Sequence, residues 1–244
     1  MNKQCLCLLL TVLLGAIALA QSKEFWATKD YKQWSEKECR KLLENSPWAS
    51  DYTLKDSHID TLQDGGPFAR GRQSSTTLGY QVQFRSALPM RQAVARQQMI
   101  EGKYDQMTPE QKQDFDARVG KFLAASFADT ILVHVIYKTN IPQIDRDLAK
   151  YWQTRTLDTI KNTTNLIAGA GQKIQPIRFV AATGAGRELQ LVFPRQINGQ
   201  PAVSPKDKTI KIEFLHPNLS NQGEVRVLLN FKPEQMVING EAVY

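Results

Sequence analysis

Asp56, His58 and Asp60 alternate along the chain, so an extended backbone would point all three side chains the same way and offer carboxylate oxygens and an imidazole to a divalent ion. These are the candidate metal ligands; a working site also needs a fourth ligand and a rigid frame. The other histidines, His134 and His216, lie far away in the sequence, so no zinc spacing emerges. Cys39 as a nucleophile would need a neighbouring base and a lowered thiol pKa, and its predicted place on the apolar side of a short helix makes it a buried free thiol instead. No serine sits in a Gly-x-Ser-x-Gly elbow. Gly169-Ala170-Gly171 and Gly184-Ala185-Gly186 lack the Lys-Ser/Thr ending and following helix of a phosphate loop, and read as turns. No catalytic residue and no cofactor is assigned.

Binding chemistry is better represented. Trp26, Trp34 and Trp48 fall close together with Phe25 and Tyr31, and such a cluster either stacks on a ligand or pins an N-terminal arm to the body. These three tryptophans are the candidate binding residues. Arg85, Arg91, Arg96 and Lys103 give one segment a basic tendency, read as a solvated surface. His134 lies in the most apolar run, where a hydrogen-bonded core histidine is expected, and His216 before Pro217 reads as a strand-end residue.

Several elements must position these groups. Residues 1–20 carry one cation, Lys3, then an uncharged apolar run to Ala18-Leu19-Ala20, which is the pattern of a cleaved export signal. The run is shorter than the ~20 residues a spanning helix needs, so the mature chain is expected to have no transmembrane segment. The chain of 244 residues is 42% hydrophobic with a formal net charge of +7, ordinary globular composition with its cations spread out, so nucleic-acid binding has no support. Once the leader is removed, Cys39 is the remaining cysteine, so no internal disulfide is expected.

Residues 21–50 are expected to form an N-terminal arm in which Ser35 and Glu38 make a capping box for a helix over about 36–45. Residues 51–77, rich in Gly, Ser and polar side chains, read as a flexible linker. Residues 78–244 read as a single β-rich domain with a helical insertion at 89–128, the insertion being a hairpin of two helices. One of these is introduced by Pro89, and the other by a second capping box, Thr108 with Gln111. The second helix is expected to bury Phe115, Val119, Phe122, Leu123 and Ser126. Strands are predicted at 78–85, 131–137, 156–167, 174–180, 189–193, 210–214 and 225–231, with a helix at 142–155 and a short edge segment at 236–238. Together these predict an α+β, mainly β fold: an antiparallel β-sandwich-like core with a helical insertion and an N-terminal aromatic arm.

Trp34, Asn45-Ser46-Pro47-Trp48-Ala49, the stretch from Arg85 to Ala93, Phe193-Pro194-Arg195 and the ending from Met236 to Tyr244 together resemble a group of exported bacterial proteins with no known activity. The resemblance implies bacterial export, to the periplasm or outside the cell after cleavage near Ala20, and no catalytic residue. The expected function is a non-catalytic exported protein that binds a protein, glycan or envelope component. The competing expectation is a secreted or periplasmic hydrolase, or a metal-dependent enzyme, whose carboxylates converge only in three dimensions.

Overall fold

The computed structural model describes residues 24–54, 78–184, 186–218 and 224–244. Residues 1–20, expected to be an export signal, most of the predicted linker, and Asp56, His58 and Asp60 lie outside these residues.

The chain enters through α1 (Phe25–Thr28), a 3-10 turn (Tyr31–Gln33) and α2 (Glu36–Glu44). Ser35 and Glu38 close the predicted capping box, and α2 buries Cys39, Leu42 and Leu43. Glu38 also accepts two bonds from Lys29 Nζ, at 2.8 and 3.0 Å. Lys29, then the Ser35 amide and hydroxyl, hold its carboxyl down from 4.5 to about 2. A carboxylate whose pKa is lower in the folded state contributes stability that is complete above its unfolded pKa and disappears as pH falls through the folded one. The stability difference between the wild type and Glu38→Gln should therefore be full above about pH 4.5 and shrink toward pH 2. Thermal melts of both proteins across that range check this.

Two antiparallel sheets follow. The first runs in the order β1 (Ala49–Thr53), β2 (Leu78–Phe84), β3 (Thr130–Thr139), β7 (Glu188–Pro194), β6 (Arg178–Val180). The second runs β11 (Val225–Phe231), β10 (Ile210–His216), β4 (Asn165–Ile167), β5 (Lys173–Ile174). Their facing sides interdigitate as a sandwich. Tyr80 meets Phe214 and Phe84 meets Phe231 edge-on, each with ring centroids 4.9 Å apart, and the Tyr80 hydroxyl lies 2.7 Å from His216 Nδ1. Cross-strand pairs Tyr80 with Tyr137, Val82 with Val135 and Phe84 with Val133 put the alternating apolar residues of β2 and β3 on this inner side. α5 (Pro142–Gln153) covers one margin with Ile144, Leu148 and Trp152, the last in contact with Phe214.

Gly79 has a specific reason to be glycine. A Cβ there would sit 2.6 Å from the Tyr52 carbonyl oxygen, so β1 approaches β2 too closely for any side chain at that position.

The outward side of the first sheet receives α2, whose Leu43 carbonyl accepts a 2.6 Å bond from Gln83 Nε2. α3 (Leu88–Glu101) packs beside α2 and buries Met90 and Ala93, while α4 (Pro109–Leu123) packs on α3 through a separate cluster of Ala95, Met99, Phe115 and Val119. The Thr108–Gln111 capping box forms as predicted.

Several expectations need correction. Residues 51–53 belong to β1, because main-chain pairing with β2 holds this polar stretch extended. Residues 156–167 do not form one strand: Thr156 and Thr159 cap each other across α6 (Leu157–Ile160), and the strand is confined to β4. The segment 174–180 is divided by Pro176 between β5 and β6, which join different sheets. α4 ends at Leu123, so Ser126 is beyond its stripe, and Phe122 is 39% exposed. β8 (Gln196–Ile197) and β9 (Gln200–Pro201) form a small hairpin apart from the two sheets, and the C-terminal segment forms another, β12 (Val237–Ile238) with β13 (Glu241–Ala242). Asn239 and Gly240 at its tip both have positive φ, 52° and 85°, as a tight two-residue hairpin turn demands.

Candidate functional site

The C-terminal hairpin and the N-terminal segment meet around Trp48, and this meeting creates the candidate site. Trp48 is 0% exposed; its indole N–H donates to the Val243 carbonyl, and its backbone carbonyl accepts a 2.9 Å bond from the Phe84 amide. On the solvent side of Trp48 stands Trp26, half-buried, with ring centroids 5.7 Å apart in an edge-to-face contact. Phe25 packs edge-on against both Trp26 and Trp34, and the residues flanking α1 are held by the Glu24–Lys41 pair and by the Lys29 bonds to Glu38 and Trp34.

Trp26 lines an open groove of about 840 Å³. One wall is α1, the end of α2 and the residues that follow it, with Lys41, Asn45, Ser46 and Pro47; the other is the C-terminal hairpin and the turn before it, with Gln235, Val237, Ile238 and Asn239. Asn45, Gln235 and Asn239 are exposed and contribute amides to the lining from opposite sides. Lys41 Nζ lies 5.3 Å from the Trp26 ring centre and 3.0 Å from Glu24, which neutralises it. Glu24 is the one carboxylate among the lining residues, so the groove does not bring together the converging carboxylates of the competing expectation.

The candidate binding residues thus have different fates. Trp34 and Trp48 do not share a binding surface with Trp26: both are fully buried, Trp34 donating its indole N–H to the Lys29 carbonyl at 3.1 Å. Their N–H groups are consumed by main chain and their rings by the core. Trp26 alone keeps an accessible side. Cys39 is a buried free thiol, pushed up to about 11 by desolvation, which leaves it protonated and inert. Among the described residues no group of three or more His, Cys, Asp or Glu side chains is placed to hold a metal ion.

The arginines correct the expectation of a solvated basic surface. Arg91 is 7% exposed and its Nη1 donates to the carbonyls of Phe122, Leu123 and Ala125 at 3.1, 2.6 and 3.1 Å. Arg96 donates to the Trp34 carbonyl at 2.8 Å. Arg85 is largely buried on the outward side of the first sheet. His134 lies on that same outward side, beside Glu188, and not in the inner core. His216 ends β10, as expected, but it is buried, its ring against Tyr80.

Lys41, Asn45, Gln235 and Asn239 were not legible as site residues, because nothing in their spacing relates residues so far apart. The one signal was the Asn239-Gly240 turn, which marks a hairpin but not what it faces. No protein-family model, curated protein or solved structure significantly matches the chain. Among the described residues no helix is long and apolar enough to cross a membrane.

Proposed function

We propose that the protein is exported and acts without catalysis, binding an envelope glycan in the groove beside Trp26. The observation that carries this reading is the combination of one accessible indole with exposed amides on both walls of an open groove. A pyranose ring presents an apolar face of C–H groups and a rim of hydroxyl and amide groups; an aromatic ring takes the first, and asparagine and glutamine side chains both donate to and accept from the second. Lys41 and Glu24 cancel one another, which suits a neutral sugar better than a strongly charged ligand. The leader-like residues 1–20 and the resemblance to exported bacterial proteins support the compartment in which such a ligand is found.

The test is titration of the purified mature protein with chitotetraose, whose repeated N-acetyl groups match the amide lining. Wild type is expected to bind saturably, and Trp26→Ala to weaken binding by roughly tenfold or more, on the scale of losing one stacked aromatic contact. Because Trp26 is only half-buried, the variant should stay folded, which circular dichroism would verify. Equal affinity of wild type and a folded Trp26→Ala would refute the groove as the site.

A further inference from the structure

The outward side of the second sheet carries more cations than anions. Ile210, Ile212 and Phe214 are buried in the sandwich, so Lys211, Glu213 and Leu215 of β10 point the other way. Cross-strand pairing sets Lys211 between Ile167 of β4 and Asn230 of β11, and Glu213 between Asn165 and Leu228. The carboxylate in this row is already consumed. Glu213, with a side chain 6% exposed, accepts from Asn165 Nδ2 at 2.9 Å, from Lys173 Nζ at 3.0 Å and from Arg226 Nη1. Burial opposes its ionisation, yet the bonds from Lys173, Asn165 and Arg226 keep its carboxyl below the ordinary range, so one anion faces two cations. Lys173 and Arg226 themselves stay open to solvent, 55% and 63% exposed.

Lys208 and Lys211 differ from this pair, because neither side chain makes an ion pair or hydrogen bond among the described residues. Both line an open cavity of about 430 Å³, together with Thr209, Asn230 and the turn that joins β4 to β5. In that turn the Gly171 amide donates to the Ala168 carbonyl at 2.8 Å, and Gly171 has a φ of 81°, a conformation that suits glycine. Gly169 and Gly171 therefore make this wall main chain, with no side chain to fill the space. No carboxylate lines the cavity: Asp207 packs against Gly169 from outside the lining and accepts the Ser204 amide at 2.9 Å. Two unpaired ammonium groups beside one cavity repel each other, and an anion between them relieves that repulsion.

We propose that this cavity takes a phosphate group. Lys208 and Lys211 supply the charge, and the Thr209 hydroxyl and Asn230 amide supply directional donors. The surroundings suit a phosphate carried on a membrane: Lys173, Arg226 and the half-buried Leu215 and Leu228 extend the same open side, and each cation near an anionic surface adds to the attraction. The cavity shares no residue with the groove beside Trp26, so the proposal stands independently of what that groove binds.

The experiment has two arms, both in phosphate-free buffer. One is co-sedimentation of the purified protein with vesicles of phosphatidylcholine, alone or mixed with phosphatidylglycerol. The other is an NMR titration of ¹⁵N-labelled protein with glycerol 3-phosphate, read at the Gly169 and Gly171 backbone amides and the Asn230 side-chain amide. The expected result is binding to the phosphatidylglycerol vesicles and not to phosphatidylcholine alone, weakened roughly tenfold or more in Lys208→Gln/Lys211→Gln. A saturable shift with glycerol 3-phosphate but no vesicle binding would assign the same cavity to a soluble phosphate ester. Because both lysine side chains lack partners, the double variant should stay folded, which circular dichroism would verify. Lys37→Gln/Lys121→Gln removes the same charge from exposed positions on α2 and α4 and should leave both arms unchanged. Failure of both probes, undiminished binding by Lys208→Gln/Lys211→Gln, or equal weakening by the two double variants, the mark of net charge alone, would overturn the proposal.

Discussion

Replacing Trp48 with alanine should cost about 3–5 kcal/mol of folding free energy, the range for deleting a large, fully buried aromatic side chain. Trp48 is 0% exposed and joins segments that are distant in sequence. Its ring packs on Trp26, and its N–H holds the Val243 carbonyl of the C-terminal segment. Truncation therefore leaves a cavity and also a carbonyl without its donor, and the two effects act at the same place. For a chain of this size each kcal/mol lowers the melting temperature by about 2–4 °C, so a fall of roughly 6–20 °C is expected. Trp48→Phe retains most of the packing contacts but not the N–H, and should cost only about 1–3 kcal/mol. Chemical denaturation of the pair separates the two contributions. A loss below about 1 kcal/mol for Trp48→Ala would mean that this indole does not hold the chain ends together.

The second large effect is expected at Arg91. The last carbonyls of a helix have no intrahelical donor, and Arg91 supplies one to Phe122, Leu123 and Ala125 at the end of α4. Its guanidinium also lies 4.9 Å from the Phe127 ring centre, and its cationic charge suits the negative end of the helix dipole. Desolvation weakens its hold on its proton, which is the cost of placing it there. Arg91→Met preserves the apolar stem and removes every one of these bonds, so the expected loss is about 2–4 kcal/mol. The loss should be local: amide exchange should accelerate most in the end of α4 and the loop that follows it. Arg91→Lys provides a cation without the planar fork and should recover only part of the stability. A surface arginine would show a change within about 0.5 kcal/mol in either variant.

The contrast between Arg91 and its sequence reading shows where local pattern stops being informative. Capping boxes are encoded within four residues, so Ser35 with Glu38 and Thr108 with Gln111 were legible in full. The alternation of β2 and the β-branched run of β3 were legible for the same reason, since period-two burial needs only the strand's own residues. Arg91 depends on carbonyls that lie more than thirty residues downstream. The three tryptophans look alike in sequence, and only the tertiary contacts of their N–H groups separate the buried Trp34 and Trp48 from the half-buried Trp26. The threonines of 156–164 suggested a strand by β-propensity, but Thr156 and Thr159 spend their hydroxyls and amides on a short capped helix instead. The run around His134 is apolar on both alternating sides, which by itself points to a core; pairing with Gln83 and Gln190 puts His134 on the polar side.

The claim that a glycan occupies the groove beside Trp26 is tested most directly by the indole N–H region of a ¹⁵N spectrum during titration with chitotetraose. A saturable shift of the Trp26 resonance is expected, with those of the buried Trp34 and Trp48, whose N–H groups are engaged by the Lys29 and Val243 carbonyls, moving little. A Trp26 resonance that stays in place at saturating sugar would contradict it.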